Sequence, residues 1–325
     1  MIRIGIMGAG SIAHKMADTI MKMDKSRVEV YAIAAREQER AEAFAKQHQI
    51  KKAYGSYEQM LKDEEVDLVY IAIPHSLHYK GAKMCIEAGK HVLCEKPFTV
   101  TEEQGRKLCF LASQKNVFLS EAMWTRYMPS RKIIDEIIQS GVIGEVTSLT
   151  ANLGYDLRDI PRLWDPTLAG GALLDVGIYL IHFARMVFGS NLQKVISHAE
   201  FSKEGVDYSD SIVMIFEGGK EAVTHCNVAS VLNRSGAIFG TKGYIEIVNI
   251  NNPERIQVFD KNYNLVKEYS IPDQISGYEY EVKAAVLAIE NGKKECKELP
   301  QEETLEVLKI MDSIRNEWGY VIPEG

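Results

Sequence analysis

The chain has 325 residues, of which 46% are hydrophobic and 26% charged, with a formal net charge of -7. That length exceeds what one small core organises and implies two domains, and the composition is that of a soluble globular protein. The acidic balance argues against nucleic acid or an anionic membrane as the main partner.

The chain opens with "IRIGIMG", a strand pattern, followed by a helical pattern over residues 11–23. "VEVYAIAA" reads as a second strand, and "EQERAEAFAKQHQ" as a helix rich in good helix formers. "VDLVYIAIP", "HVLCEK" and "VFLSEAMW" are further strand candidates, with helical stretches between them. Strand–helix alternation predicts a parallel sheet covered on both faces. The period changes after Trp124. Between residues 145 and 270, segments such as "EVTSLTANL", "SIVMIFE" and "YIEIVNI" alternate with period two, which predicts an antiparallel sheet. One strong helix interrupts it at about residues 171–188, and two more close the chain near 278–291 and 302–318. The expected fold is α/β: an N-terminal doubly wound parallel sheet of the Rossmann type, residues 1–122, followed by an α+β domain with a large, mostly antiparallel sheet, residues 123–325.

No apolar run approaches the ~18 residues that span a bilayer. The glycines of "MIRIGIMGAG" fall where a signal peptide needs an unbroken apolar core. Five scattered cysteines without a CxxC pair read as reduced thiols. A cytoplasmic protein without a metal site is expected.

Gly8, Gly10 and Ala13 have the G-x-G-x-x-A spacing, between a strand and a helix, as a dinucleotide fingerprint requires. Gly8 permits the tight turn, Gly10 lets a pyrophosphate approach the backbone, and Ala13 lets helix and strand pack closely. Ala9, Ser11 and Ile12 complete the turn, and the helix N-terminus offers N–H groups to phosphate. An NAD-selective site places an acid near the end of the second strand. Here stand Ala34, Ala35 and Arg36, with Arg40 a helical turn later on the same face. Two cations at a helix start oppose its dipole and suit the 2'-phosphate of NADP, so NADP is expected over NAD. The other reading is a pair of solvated arginines. "YIAIPHSLHY" ends a later strand, where ligands of open α/β sheets sit, so Ile73, Pro74, His75 and His78 either line the cofactor or belong to an ordinary loop.

Two further motifs carry chemistry. In "HVLCEKPF", Glu95, Lys96 and Pro97 follow an apolar run without a gap. In "GGALLDVGIYLIHF", Asp175 and Tyr179 are four apart and share a helix face. So apolar a helix is buried, and a buried Asp and Tyr need partners. Gly170 and Gly171 allow another backbone or a ligand to come close. A hydrogen-bonded structural pair explains the spacing as well as a catalytic one does.

Together, G-x-G-x-x-A, "EKP", "GGALLDVG" and the two-domain layout resemble the glucose–fructose oxidoreductase / inositol dehydrogenase (Gfo/Idh/MocA) family over nearly the whole chain. "KAYGSYEQM", "VLCEKPF", "EAMWTRYMP" and "GGALLDVGIY" are most similar to the dimeric dihydrodiol dehydrogenases, which also act as NADP-dependent D-xylose dehydrogenases. Many family members have His where this chain has Tyr179, and an acid where it has His182; the dihydrodiol dehydrogenase branch has Tyr there. The resemblance implies that Lys96 and Tyr179 lie at the nicotinamide and the reacting carbon, with Asp175 orienting Lys96 or a substrate hydroxyl. It implies Glu95, Trp124 and Arg126 beside the cofactor, and Trp124 and Arg162 on the substrate side. It also implies a cis peptide before Pro97 and a homodimer formed through the C-terminal sheet. The implied reaction moves a hydride between NADP and a secondary alcohol or hemiacetal carbon of a polyhydroxylated small molecule. The reading from another class is a non-catalytic NADP-sensing regulator on the same fold. Trp164 either covers a bound ring or belongs to the core, and Tyr278 either approaches the site from the start of the penultimate helix or, the stronger reading, packs in the core.

Overall fold

A computed structural model describes residues 1–323. In chain order the first elements are β1 (Ile2–Met7), α1 (Ser11–Met21), β2 (Val28–Ala34), α2 (Gln38–His48), β3 (Lys52–Tyr54), α3 (Tyr57–Leu61), β4 (Leu68–Ile71), α4 (His78–Glu87), β5 (His91–Glu95), α5 (Glu102–Lys115) and β6 (Leu119–Ala122). The six strands form one sheet in the order β3-β2-β1-β4-β5-β6, paired in parallel throughout. All four residues of β4 are buried, as expected of a strand with both faces covered. The helices are locally encoded. α5 starts at Thr101, whose hydroxyl accepts the Gln104 N–H at 3.3 Å. Glu102 and Glu103 occupy its first turn, and it ends on Asn116 in the left-handed region. Each of these features suits its end of a helix.

Next come α6 (Pro129–Gln139), β7 (Val146–Gly154), α7 (Ile178–Phe188), β8 (Leu192–Phe201), β9 (Asp207–Phe216), β10 (Lys220–Asn227), β11 (Gly236–Gly240), β12 (Gly243–Val248), β13 (Arg255–Asp260) and β14 (Leu265–Tyr269), then α8 (Glu279–Glu290) and α9 (Gln301–Glu317). The eight strands form a second sheet in the order β14-β13-β12-β11-β7-β10-β9-β8. It is antiparallel except for the parallel pair β7–β10. Its faces differ: in β9, Asp210, Ile212, Met214 and Phe216 are buried while the residues between them are not, which is the alternation of a one-sided sheet.

The compact units divide the chain differently from a single break at residue 122. The first unit runs from Met1 to Tyr127 and takes back Gln274–Lys309, which carries α8 and the start of α9; the second holds Met128–Asp273 and, among the described residues, 310–323. Sequence periodicity cannot show such a return, because α8 and α9 are amphipathic whichever unit they cover.

Two expectations about the apolar segment before β8 are corrected. The segment Pro166–Phe188 is long and apolar enough by composition to cross a membrane, yet 83% of its most apolar window is buried inside the fold, as in a core segment. That segment is also not one α-helix from residue 171. Leu173–Gly177 forms a π-helical turn that leads into α7. A π turn holds more residues than an α turn, so the Asp175–Tyr179 step is not that of a regular α-helix.

Candidate active site

The first unit supplies a nucleotide cradle. Gly8 has φ of +103°, and a Cβ there would lie 2.4 Å from the Ala72 carbonyl oxygen, so only glycine fits. Its N–H donates to the Ala34 carbonyl at 2.9 Å, tying the turn to β2. Gly10 has open space where a side chain would be. It also begins α1, whose start has no side-chain cap and no acid in its first turn. N–H groups at such a helix start attract anions, so the turn of Gly8, Ala9, Gly10, Ser11 and Ile12 fits a dinucleotide pyrophosphate. Ala13 is fully buried, as close packing of α1 on the sheet requires.

Arg36 and Arg40 are exposed, and α2 begins only at Gln38. Arg36 therefore precedes the helix, and the two do not share a helix face. The Arg40 guanidinium donates to the Ala9 carbonyl at 3.1 Å, which ties it to the glycine turn. Burial raises the Tyr57 pKa against the charges of Arg36 and Arg40. Tyr57 escaped the sequence reading because one exposed-looking aromatic at a helix start carries no signal.

Lys96 is half-buried at the end of β5, and its peptide bond to Pro97 is cis. The backbone around it is held by side chains. Lys96 N–H donates to Glu95 Oε2 at 3.2 Å, and Phe98 N–H donates to Glu121 Oε1 at 2.9 Å. The Pro97 carbonyl lies 2.7 Å from His78 Nδ1. Glu95 also accepts from the Tyr70 hydroxyl, and Thr304 Oγ1 donates to Glu121 Oε2 at 3.0 Å. His78 is 0% exposed and reaches two backbone carbonyls, so it braces the loop. His75 is buried with its ring centre 5.7 Å from that of His78, while Ile73 and Pro74 are half-buried at the end of β4.

Trp124 and Arg126 lie in a short 3-10 turn after β6. Trp124 is 8% exposed and stacks on Tyr278 at 4.4 Å and 11°. Tyr278 thus packs against Trp124. Arg126 is ion-paired with Glu303, so part of its charge is answered within the first unit.

Glu281 was missed altogether. It is 0% exposed on the apolar face of α8, and among the described residues neither of its oxygens meets a hydrogen-bond partner. Burial, then the charges of Glu95 and Glu121, push its pKa well up. Its position beside Val282, Ala285 and Val286, on the same buried face, was the available signal.

Burial also pushes Glu121 up to about 7, although the Phe98 N–H and the Thr304 hydroxyl favour its charged form. Its folded pKa exceeds the unfolded one, so the native state holds the extra proton. That contribution is complete below the unfolded value and is lost as pH rises through about 7. Glu121→Gln keeps the shape without the titration. Urea melts should show the variant gaining on wild type by about 2–3 kcal/mol between roughly pH 5 and pH 8. A pH-independent difference would refute the assignment.

The second unit holds Asp175, Tyr179 and Arg162. Asp175 is 6% exposed in the π-helical turn, and Arg162 Nη2 donates to its Oδ1 at 3.1 Å. Tyr179 follows in the first turn of α7, half-buried. Trp164 is half-buried and donates from Nε1 to the Leu157 carbonyl at 3.2 Å. The two glycines admit protein, as one sequence alternative held. A Cβ on Gly170 would lie 2.5 Å from the Leu163 carbonyl oxygen, and one on Gly171 2.2 Å from Asp207 Oδ1. Asp207 Oδ2 accepts the Leu173 N–H at 2.6 Å and so caps the turn that carries Asp175. Asp207 and Asp210 are both buried, and burial raises both, with Asp210 well above the carboxylate range. Asp210 falls on the buried rhythm of β9, a signal open to the sequence and not used.

Comparison with known proteins fits this geometry. Residues 2–123 match the model of the oxidoreductase family with an NAD-binding Rossmann fold, and residues 132–246 match the Gfo/Idh/MocA C-terminal domain. The chain belongs to the Gfo/Idh/MocA oxidoreductase family. It is 34% identical to trans-1,2-dihydrobenzene-1,2-diol dehydrogenase of Mus musculus over 99% of this chain and 98% of that one. The Homo sapiens counterpart is 32% identical with the same coverage. Among solved structures, the 3-ketoreductase KijD10 from Actinomadura kijaniata, in complex with NADP and TDP-benzene, has a TM-score of 0.89 at 23% identity, over 97% of both chains. The aldose-aldose oxidoreductase of Caulobacter crescentus has a TM-score of 0.86 at 21% identity, over 97% of this chain and 96% of that one. As a member of this family the protein is an NAD(P)-dependent oxidoreductase, with the expected Rossmann sheet and large second sheet in place.

Proposed function

We propose that the protein is an NADP-dependent dehydrogenase acting on a CH–OH carbon of a vicinal diol or sugar, with Lys96 and Tyr179 at the reacting centre. The observation that carries this reading is the Lys96 turn. A half-buried lysine stands at the C-terminal end of a Rossmann strand, on a backbone held on both sides by buried side chains. A solvated Glu–Lys loop needs no such bracing. Full-length relatives named for dihydrobenzenediol dehydrogenation support the diol class.

NADP, when bound, supplies the hydride acceptor. The chain's own groups handle the proton and the substrate. Tyr179 takes the hydroxyl proton. An unperturbed phenol titrates near ~10, too high for an efficient base at neutral pH. The ammonium of Lys96 favours the phenolate and donates to the substrate oxygen. Asp175, held by Arg162, accepts from a neighbouring substrate hydroxyl, so a diol or sugar suits the site better than a simple alcohol. Arg36 and Arg40 hold the 2'-phosphate, since no acid occupies that strand end. A panel of aldoses, polyols and trans-diols, assayed with NADP and NAD, tests the proposal. It predicts formation of reduced NADP with at least one polyhydroxylated substrate and none with monohydric alcohols.

A homodimer in the cytoplasm belongs to the same proposal. Ile196 and Val223 both pair with Val213, and all three lie in one row on the face of the second sheet opposite the buried Ile212 and Met214. Ile196 and Val223 are each 46% exposed. Such a row favours burial against a second copy. Val223→Asp should then convert a dimer to a monomer in sedimentation; a wild type that sediments as a monomer would refute it.

A further inference from the structure

His78 begins α4 and is 0% exposed. Its Nδ1 lies 2.7 Å from the Pro97 carbonyl oxygen, and its Nε2 lies 2.9 Å from the Ile73 carbonyl oxygen. A carbonyl oxygen only accepts. A neutral imidazole has one N–H and one lone pair. Either neutral tautomer therefore sets a lone pair against a carbonyl oxygen at hydrogen-bond distance, in a buried place where that repulsion is not screened. Turning the ring over exchanges both nitrogens for C–H groups and loses both bonds. Only the doubly protonated ring satisfies both carbonyls.

The surroundings can hold that charge. Glu95 and Glu121 accept the N–H groups on either side of Pro97, so two acidic side chains flank the same peptide that His78 grips. They come from β5 and β6. Lys96 stands on the same turn, and the His75 ring centre lies 5.7 Å from that of His78. A buried imidazolium between two carbonyl dipoles with acidic side chains nearby is compensated; an isolated one would not be.

We propose that His78 is a permanently protonated staple, a positioning residue that ties the end of β4 at Ile73 to the turn that presents Lys96. Loop-end groups at the reacting centre must be held within fractions of an ångström, and two charge-assisted hydrogen bonds from one rigid ring do this. Ile73 and Lys96 are then set as one unit, and the geometry of the Lys96 ammonium does not depend on substrate being bound. The functional part of this inference rests on the proposed role of Lys96; the charge state of His78 does not.

The test is the ring-nitrogen NMR spectrum of the full chain labelled with 15N-histidine. The His78 signals are identified by their loss in His78→Asn and, independently, in His78→Gln. Both nitrogens should resonate as protonated imidazolium nitrogens and stay there from about pH 6 to pH 8, although an unperturbed histidine titrates near ~6.5. One protonated and one lone-pair nitrogen would overturn the staple. The second readout is kinetic. His78→Gln, with one donor group in place of two, should lower kcat by roughly 10- to 100-fold while the Kd for NADP changes by less than about twofold. Unchanged kcat, or equal losses in kcat and NADP affinity, would overturn the positioning role. If Lys96→Ala keeps wild-type turnover, the proposed function fails, yet the imidazolium spectrum of wild type remains decisive for the staple.

Discussion

Replacing Tyr179 by Phe should lower turnover by ~100-fold or more while NADP affinity holds. The substitution keeps the ring and removes only the hydroxyl, so packing at the start of α7 should survive and the thermal midpoint should stay near that of wild type. The expectation has two structural supports. Tyr179 is half-buried, not sealed in the core like its neighbours Ile178 and Leu180. It also follows a π-helical turn whose backbone is capped by Asp207 and whose Asp175 is paired with Arg162. Turns of that kind cost helix regularity and recur at functional sites. Steady-state kinetics on a verified substrate, with a parallel NADP titration, decide the matter. Near wild-type kcat in the variant would remove Tyr179 from the proton transfer and leave Lys96 as the leading acid–base group.

Arg36→Ala should weaken NADP binding about ten- to a hundredfold and leave NAD binding almost unchanged. A guanidinium on a phosphate makes charge-assisted hydrogen bonds, each contributing roughly 1.5–3 kcal/mol, and each 1.4 kcal/mol is about a factor of ten. NAD has no phosphate at that position to lose. Arg36 is exposed ahead of α2 and, among the described residues, meets no side-chain hydrogen-bond partner, whereas Arg40 donates to the Ala9 carbonyl. Arg40→Ala should therefore act on the glycine turn as well, weakening both cofactors, with NADP the more affected. Paired titrations of the two cofactors on wild type and Arg36→Ala check this. Equal weakening of NADP and NAD would show that Arg36 supports the adenine side or the fold instead of the phosphate.

Much of the fold was legible because its signals are local. The β1 turn was readable from Gly8, Gly10 and Ala13, whose spacing has one steric meaning once a strand precedes it and a helix follows. The second sheet was readable from its period of two. What could not be read depends on contacts distant in sequence. The return of residues 274–309 to the first unit leaves no mark on periodicity. β3 is three residues long, too short to alternate visibly. The π-helical turn has no sequence signature, since Leu173–Gly177 would suit an α-helix equally. Of the candidate site, Lys96 and Asp175 stood out by type and setting. The groups that hold them did not: Glu121 reaches the Phe98 N–H from 23 residues away and Asp207 reaches the Leu173 N–H from 34. His78 was visible as a histidine near a strand end, but its two carbonyl partners, and so its role, emerge only in three dimensions.

The most direct measurement follows the hydride. Wild-type protein is mixed with NADP and a trans-diol or aldose carrying deuterium on the reacting carbon, and the reduced cofactor is isolated and analysed for label. The account predicts one deuterium at C4 of the nicotinamide with wild type, a markedly slower appearance with Tyr179→Phe, and none with Lys96→Ala. Tight NADP binding with no label transferred from any polyhydroxylated substrate would contradict it and leave a cofactor-sensing protein on the same fold.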